Sequence, residues 1–378
     1  MTKVTSAEGQ RGRGPRSRRL RGMLRWLGAA LGRGPLLGPA QAQLGIADAC
    51  DLRCRFCRYW AHDSWKPGQE RLMPPALAGR ILRTLVEEGL AAVEVCGRGE
   101  PLLNPHCLDI LQTARDLGLD VSLVTNGRQL LRHDLEWLMR MGLSGANISV
   151  DAASAETYLA VHEGASEAAW DTVVEGIEAL VKARQATGNA VTSITLSMAV
   201  CRLTADDPQR LVTLARALGA TGVAFFPAAL YPGMDDLVLT AEGRAQAVAS
   251  AQGAAREAAR GGLAHNVDQF LAMMTVPDVH YHAREIIRRV PCYAAYFFTQ
   301  IGADGSVYPC CACDRPVGRT EGANWAAVWR SPEYAEFRRA ALRIPSRGAP
   351  PHRCHCESCF YAWTNAKIHA RLRPWNRA

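Results

Sequence analysis

The chain has 378 residues, of which 48% are hydrophobic and 21% are charged, so it can bury the core of one large domain and a smaller one. No uninterrupted apolar stretch approaches the ~20 residues that a membrane-spanning helix needs, which excludes that class of protein. The formal net charge of +8 lies before residue 44, where nine basic residues face one acidic residue, so the rest is close to neutral and we expect no nucleic-acid partner.

The first element is a basic tail over residues 1–43, rich in Gly, Arg and Pro. Its few large apolar groups cannot offset the entropy lost on ordering, so we expect a disordered and dispensable segment; docking to an acidic partner is the alternative. Arg18–Arg19 and the apolar stretch 23–37 together resemble an export signal. Arg25 and Arg33 interrupt that stretch, and we therefore expect a cytoplasmic protein.

Ten of the thirteen cysteines fall into two groups, at residues 50–57 and 292–359. Such grouping in a chain of this size favours bound metal in a reducing compartment over a disulfide framework. The three others, Cys96, Cys107 and Cys201, lie in or beside apolar elements and are predicted to be buried small hydrophobes.

The first group places Cys50, Cys54 and Cys57 within eight residues, after a predicted strand at Gln43–Ala47. Three thiolates suit a [4Fe–4S] cluster in which one iron lacks a protein ligand, so that a chelating cosubstrate can bind there. The alternative is a zinc knuckle or three unrelated buried thiols.

From residue 42 onward, short apolar runs alternate with amphipathic stretches. Further predicted strands are Ala92–Cys96, Val121–Thr125, Ala146–Val150, Ser193–Val200 and Gly222–Phe226. Predicted helices are Pro75–Glu88, Pro105–Leu117, Asp134–Met141, Ala155–Ala186 and Pro208–Leu218. The alternation predicts an α/β fold in which a parallel sheet curls into a partial (βα)6 barrel, with its site at the carboxyl ends of the strands.

The pattern C-x-x-x-C-x-Φ-C at Cys50, Cys54 and Cys57 resembles the signature of the radical S-adenosylmethionine (SAM) superfamily. The resemblance implies that these thiols hold a [4Fe–4S] cluster and that its open iron chelates SAM. It also implies reductive cleavage of SAM to a 5′-deoxyadenosyl radical, fed by an electron donor such as flavodoxin or ferredoxin. It assigns no catalytic side chain beyond the cluster.

The same resemblance implies a SAM pocket, in which Phe56 lies beside the adenine and Gly97, Gly99 and Glu100 form a G-x-G-E-P motif that holds the methionyl amino group. The remaining pocket residues in the resemblance are Asn126 after the third strand and Ser149 and Asp151 after the fourth. Taken alone, each motif is also an ordinary turn. His162 stands where the family often has arginine, which puts a carboxylate-binding role there in doubt.

The second group comprises seven thiols: Cys292, Cys310, Cys311, Cys313, Cys354, Cys356 and Cys359. A hairpin turn at Ala303–Ser306 and a helix at Ser331–Leu342 are predicted between them. Two metal sites fit the spacing. Cys310 and Cys313 with Cys356 and Cys359 would form a four-cysteine zinc ribbon, although the gap is long for one.

The order C…G-x-x-x-x-C…C-x-x-C instead resembles the SPASM and Twitch extensions of radical SAM enzymes. That resemblance implies that Cys292, Cys310, Cys356 and Cys359 hold an auxiliary [4Fe–4S] cluster. Because no cysteine follows Cys359, one auxiliary cluster is expected rather than two. The surplus thiols are expected to be packing thiols, unless one replaces a ligand; they are Cys311, Cys313 and Cys354.

We therefore expect a radical SAM oxidoreductase that abstracts hydrogen from a small polar, sugar- or cyclitol-like substrate, with the auxiliary cluster as electron acceptor. The alternatives are a peptide-modifying radical SAM enzyme and a non-catalytic iron–sulfur or zinc protein for electron transfer or binding. The predicted domains are a tail (1–43), a radical SAM barrel (44–230), a helical connector (231–289), an auxiliary cluster domain (290–362) and a basic carboxyl-terminal tail (363–378).

Overall fold

The computed structural model of the chain describes residues 15–30, 34–61, 71–320, 324–347, 354–359 and 361–372. The strands are β1 Gln41–Leu44, β2 Ala92–Val95, β3 Asp120–Thr125, β4 Gly145–Ser149, β5 Ser193–Val200, β6 Gly222–Pro227, β7 Ala264–His265, β8 Phe298–Ile301, β9 Ser306–Tyr308 and β10 Gly318–Arg319. Within these ranges, no helix combines the length and apolar character that crossing a membrane requires.

The helices begin with α1 Pro15–Ala30, α2 Arg58–Ala61, α3 Pro75–Glu87, α4 Cys107–Asp116, α5 Leu135–Arg140, α6 Ala155–Val161, α7 Glu167–Ala186 and α8 Asp207–Leu218. They continue with α9 Ala241–Gly261, α10 Val267–Met274, α11 Arg284–Ile287, α12 Ala294–Phe297, α13 Trp325–Trp329, α14 Pro332–Leu342, α15 Ile344–Arg347 and α16 Ala362–Leu372. The alternation of strands and helices from β1 to β6 confirms the predicted α/β class.

The described residues pack as two units, one comprising 49–61 and 122–280 and the other comprising 15–48, 71–121 and 281–372. These units differ from the predicted domains because they reflect packing, whereas the predicted domains are continuous in sequence. For example, β8 of the cysteine-rich region pairs in parallel with β1, near the amino end of the chain. The boundaries themselves stay a prediction.

In the first unit, β3 to β7 lie side by side in chain order, and each neighbouring pair is parallel. Strand β5 is apolar along most of its length because most of its side chains are buried, as is usual where helices cover a parallel sheet. Helix α8 packs on β5 and β6 and ends at Gly219, whose left-handed conformation is the common helix stop.

The predicted single helix at Ala155–Ala186 is wrong in one respect, because the structure has two helices, α6 and α7. Gly164, between them, has φ +73°, a left-handed conformation that glycine adopts without steric cost. The break leaves residues 162 and 163 in a segment that pairs with the cysteine loop described below.

In the second unit the strand order is β10-β9-β8-β1-β2. Strand β1 is parallel to both β2 and β8, and β9 returns antiparallel to β8. The predicted hairpin turn at Ala303–Ser306 is confirmed: Gly302 N donates to Ser306 O, and Gly305 supplies the left-handed residue, with φ +76°. Strands β8 to β10, which belong to the cysteine-rich region, therefore continue the sheet beyond β1.

The predicted disorder of residues 1–43 is wrong for the described part of that segment, which contains α1 and begins β1 at Gln41. The prediction of disorder did not foresee the role of Arg25. Its side chain is 8% exposed and donates to the carbonyl oxygens of Gly38 (2.8 Å), Pro39 (3.2 Å) and Gly89 (2.5 Å). The residue that breaks the apolar stretch in the sequence thus satisfies buried backbone groups in the fold.

Replacing Arg25 with methionine should lower the free energy of unfolding by about 2–3 kcal/mol, because three backbone carbonyls lose a charged donor. Urea denaturation checks the value. Arg80→Met is the matched control on an exposed helical position and should change stability by less than about 0.5 kcal/mol. Equal effects of the two substitutions would show that α1 does not stabilise the fold.

Candidate active site

The first cysteine group forms a turn in the first unit, where Cys57 N donates to Cys54 O (2.9 Å). Burial, followed by the thiol of Cys57, the carboxyl of Asp151 and the thiol of Cys50, raises the pKa of the Cys54 thiol well above its usual value. The thiols of Cys50 and Cys57 therefore lie near that of Cys54, in surroundings that disfavour the Cys54 thiolate. A bound iron–sulfur cluster would supply the positive charge that such thiolates need, so the donor set fits a three-thiolate cluster site.

The cysteine loop is held by a short antiparallel pairing with the segment between α6 and α7. Arg55 N donates to Val161 O and Glu163 N to Arg53 O, each at 2.9 Å, which places Cys54 directly opposite His162. In a pair of this kind the two side chains lie on the same face, close together.

His162 is fully buried, its Nδ1 lies 3.0 Å from Tyr158 O, and its ring lies 4.2 Å from the Tyr158 ring. Burial lowers the pKa of His162 to about 4, so the imidazole is neutral near pH 7 and Nδ1 donates to the carbonyl. A neutral ring cannot attract a carboxylate by charge. The doubt about that role is thus supported, and no pattern in the sequence indicated the contact with Tyr158.

Asp51, which the sequence did not single out, organises the base of the loop. Its carboxylate accepts from Asn126 Nδ2 (2.8 Å) and Gln129 Nε2 (2.5 Å), and Arg128 Nη1 donates to its carbonyl oxygen (2.5 Å). Asn126 Nδ2 also lies 3.9 Å from Cys50 Sγ. Asn126, predicted as a pocket residue, therefore fixes the cysteine loop. The acidic residue between two loop cysteines was the available signal.

Ser149 and Asp151 lie at the carboxyl end of β4, where the sequence predicts them. Ser149 Oγ is 3.4 Å from Ser197 Oγ, and Asp151 Oδ1 accepts from Ala199 N at 2.6 Å. Burial raises the pKa of Asp151 to about 6. Asp151 has φ +55°, which is uncommon outside glycine and leaves its carboxylate bonded to β5.

Replacing Asp151 with asparagine should flatten one part of the dependence of stability on pH. The Asp151 carboxyl binds its proton more tightly in the folded protein than in the unfolded chain, where the pKa of this carboxyl is near 3.8. Its contribution to stability is therefore complete below pH ~4 and is lost as the pH rises through 6. Relative to wild type, the variant should gain about 2–3 kcal/mol of unfolding free energy between pH ~4 and 7. Urea denaturation with the exposed Asp171→Asn as control checks this, and parallel pH profiles would contradict it.

Phe56, predicted beside the adenine, packs at the edge of a buried apolar cluster of the first unit. Cys201, Tyr231 and Leu237 belong to that cluster, and Leu203 packs against it as Phe56 does.

The three cysteines outside the two groups are buried, as predicted. Cys107 and Cys201 are 0% exposed and Cys96 is 8% exposed. Burial is the main cause that raises the pKa of the thiol in each of them. These thiols therefore stay protonated, which suits small hydrophobic residues.

The residues of the G-x-G-E-P motif follow β2 in the second unit. Gly97 has φ +151°, and a Cβ there would lie 2.8 Å from Gly45 Cα, so glycine is required by the close approach of two backbone segments. Glu100 is 2% exposed, and its Oε1 accepts from Leu102 N at 3.0 Å. Gly99 lies between Gly97 and Glu100 in the chain.

The predicted pocket residues are thus divided between the two units. The G-x-G-E-P motif belongs to the second unit. Asn126, Ser149 and Asp151 belong to the first, together with the cysteine loop. The assignment of these residues to a SAM pocket stays a prediction.

The structure brings four predicted auxiliary ligands together in the second unit. Cys310, Cys356 and Cys359 are 6–8% exposed, and Cys292 Sγ accepts from Asn365 Nδ2 at 3.6 Å. Burial, followed by neighbouring thiols of the group, raises the pKa of Cys356 and Cys359 well above the usual value. Four clustered thiols can complete the ligation of a cubane, so this donor set also fits.

Two of the surplus thiols, Cys313 and Cys354, form a disulfide, with Cα atoms 4.2 Å apart across an antiparallel backbone bridge. The expectation that they are packing thiols is wrong, because the bridge places them opposite each other although 41 positions separate them. The alternative, that one of them replaces a named ligand, stays open, since Cys313 Sγ lies 3.5 Å from Cys310 Sγ. The disulfide would have to open before Cys313 could bind zinc, but the sulfurs of Cys310, Cys313 and Cys354 lie within 4.8 Å of one another and could hold a metal ion together, so a zinc site stays an alternative. Cys311 stays an alternative ligand, since after burial its thiol raises the pKa of Cys310 most.

Comparison with known proteins adds two matches to family models: the radical SAM superfamily over residues 44–215 and an iron–sulfur cluster-binding domain, SPASM, over residues 292–360. GTP 3′,8-cyclase 1 of Mycobacterium tuberculosis is 31% identical over 147 residues, 37% of this chain. The match covers 39% of that relative's length, so the chain shares only part of it.

Two solved structures show the same fold at low identity. Streptococcus suis SuiB bound to the precursor peptide SuiA has a TM-score of 0.59 and 15% identity, covering 80% of this chain and 67% of that one. Native anSMEcpe with bound AdoMet has a TM-score of 0.57 and 14% identity, covering 90% of this chain and 99% of that one.

Proposed function

Because this chain belongs to the radical SAM superfamily of enzymes and carries an iron–sulfur domain of the SPASM type, we propose that it is an oxidoreductase acting on a small polar, sugar- or cyclitol-like substrate. One observation carries the assignment of two clusters: the chain holds one set of three neighbouring thiols and another that includes the four assigned below. A set of three leaves an iron open for SAM, and a set of four does not.

We assign Cys50, Cys54 and Cys57 to the SAM-binding [4Fe–4S] cluster and a second set to the auxiliary one. The second set is Cys292, Cys310, Cys356 and Cys359. The bound cofactors would supply reductive cleavage of SAM, which yields a radical that removes a hydrogen atom from the substrate.

The chain's own groups position these cofactors. Asp51 and Arg128 fix the cysteine loop from one side, and the backbone pairing at His162 fixes it from the other. Oxidation of the substrate requires that its radical lose one electron and one proton after the hydrogen atom has gone. The auxiliary set suits acceptance of that electron, because buried, fully ligated clusters transfer electrons without binding substrate.

A peptide substrate is the second candidate. The observation that favours it is the SPASM-type domain, since SuiB, which shares the fold, has been solved with a precursor peptide. The non-catalytic alternative from the sequence does not stand, because the superfamily consists of enzymes. We further infer a cytoplasmic setting and an electron donor such as flavodoxin or ferredoxin, as reductive SAM cleavage needs low-potential electrons.

The test compares two substrate pools with reconstituted protein, SAM and reduced flavodoxin. We expect 5′-deoxyadenosine and an oxidised product in equal amounts with a pool of sugars and cyclitols, both measured by mass spectrometry. A pool of short peptides should yield only uncoupled 5′-deoxyadenosine. Coupled turnover with the peptides alone would replace the small-substrate proposal with the peptide one.

A further inference from the structure

A row of three polar side chains crosses the second unit at one level of its sheet. Gln43 of β1 is in register with Glu94 of β2 on one side and with Gln300 of β8 on the other. Residues in register on neighbouring strands point to the same face. Their chain neighbours Leu44, Val95 and Ile301 point to the opposite face and are fully buried.

The hydrogen bonds in this row have only one possible direction. The Glu94 carboxylate can only accept, so Gln43 must turn its Nε2 toward Glu94 Oε2, at 2.7 Å. Gln43 Oε1 then faces the other way and accepts from Gln300 Nε2 at 3.4 Å. The side-chain amide of Gln300 therefore directs its Oε1 away from Gln43, at the end of the row.

Gln300 Oε1 is buried and has no hydrogen-bond partner among the described residues, and the whole residue is 2% exposed. An unsatisfied buried acceptor costs about 1–3 kcal/mol. At the other end, the Glu94 carboxylate accepts from the Gln43 amide and from the weakly donating Cys96 Sγ, at 3.3 Å. The row thus presents acceptor oxygens that a ligand with several donors could satisfy.

The row lies beside the auxiliary cysteine group within the same unit. Tyr361, two residues after Cys359, donates its hydroxyl to Gln41 Oε1 at 3.5 Å, and Gln41 is on the same face of β1 as Gln43. The thiol of Cys311 lies near enough to Cys96 to contribute to the raised pKa of the Cys96 thiol, after burial and Glu94. A ligand on the row would sit near the second thiol set.

We propose that Glu94, Gln43 and Gln300 form a binding site for the ammonium group of the substrate. This inference rests on the proposed function and narrows its substrate class to polyhydroxylated primary amines. An ammonium offers three donors and a positive charge, which complement a carboxylate and an amide oxygen that lacks a partner among the described residues. A phosphorylated or carboxylated group would meet like charge at Glu94 and an acceptor at Gln300, so the row selects against it.

Two matched pairs of probes test the site by equilibrium dialysis with the reconstituted, SAM-bound protein: D-glucosamine against D-glucose, and scyllo-inosamine against scyllo-inositol. We expect at least one amine to bind about tenfold or more tightly than its hydroxyl partner, and Glu94→Gln to remove that preference. Glu87→Gln is the charge-matched control at an exposed position of α3 and should keep it. The proposal is overturned if neither amine is preferred or if the preference survives Glu94→Gln.

Gln300→Met separates a binding role from a structural one. The methionine removes the unsatisfied Gln300 Oε1 but also the long, 3.4 Å hydrogen bond that Gln300 Nε2 donates to Gln43 Oε1, so the melting temperature should change little while the amine preference is lost. A lower melting temperature with the preference intact would make the row a structural brace and overturn the site. SAM cleavage is assayed on the same samples and tests the proposed function separately. The dialysis result does not depend on SAM cleavage, so it can be interpreted even if no cleavage occurs.

Discussion

Replacing Cys50, Cys54 and Cys57 together with alanine should reduce the iron content of anaerobically reconstituted protein from about eight atoms to about four and abolish formation of 5′-deoxyadenosine. The reason is that these three thiols lie together in the first unit, and their number is the one that leaves an iron open for SAM. Iron analysis and mass spectrometry measure the two quantities.

Cys201→Ala is the control for loss of a buried thiol in the same unit, since Cys201 is 0% exposed and lies in an apolar cluster. It should keep both iron and SAM cleavage. Persistent 5′-deoxyadenosine from the triple variant would remove the basis for the three-thiol assignment. Loss of all eight irons would show that the second site depends on the first.

Replacing Cys356 and Cys359 with alanine should also remove about four irons, but it should spare SAM cleavage and abolish the oxidised product. The two thiols lie with Cys292 and Cys310 in the second unit, where four ligands complete a cluster that cannot bind SAM. The expected phenotype is uncoupled 5′-deoxyadenosine. Circular dichroism must show a folded variant, because a cluster also stabilises a loop-rich region.

The matched control is Cys313→Ala with Cys354→Ala, which removes from the same unit two sulfurs that are not assigned as ligands, although Cys313 Sγ lies 3.5 Å from Cys310 Sγ. It should retain about eight irons. If this control loses four irons instead, Cys313 or Cys354 is a ligand and the assigned set is wrong. Normal product formation by the folded Cys356 and Cys359 variant would make the second cluster structural only.

Several parts of the fold and site follow from local patterns in the sequence. The alternation of apolar and amphipathic stretches predicts the strands because buried parallel strands are apolar along their length. The spacing of Cys50, Cys54 and Cys57 predicts a three-thiol loop because a single turn can bring all three together. The hairpin at Gly305 follows because a left-handed position favours glycine.

The remaining features depend on contacts between distant segments. Arg25 interrupts an apolar stretch of the sequence, yet it binds three carbonyls, one of them 64 positions away. The Cys313–Cys354 disulfide and the contact of Asp51 with Asn126 likewise join segments that no local pattern relates. The row of Gln43, Glu94 and Gln300 exists only because β8 pairs with β1. Sequence periodicity reports burial of a single segment and carries no information on such pairings.

The SAM cleavage assay on the wild-type protein tests the assignment of Cys50, Cys54 and Cys57 to a SAM-binding cluster. Anaerobically reconstituted protein is mixed with SAM and dithionite, without substrate, and 5′-deoxyadenosine is measured by mass spectrometry. We expect slow, dithionite-dependent formation of 5′-deoxyadenosine by protein that binds about eight irons. Protein that holds its iron but forms no 5′-deoxyadenosine with either dithionite or reduced flavodoxin would contradict the assignment of a SAM-binding cluster to these three cysteines.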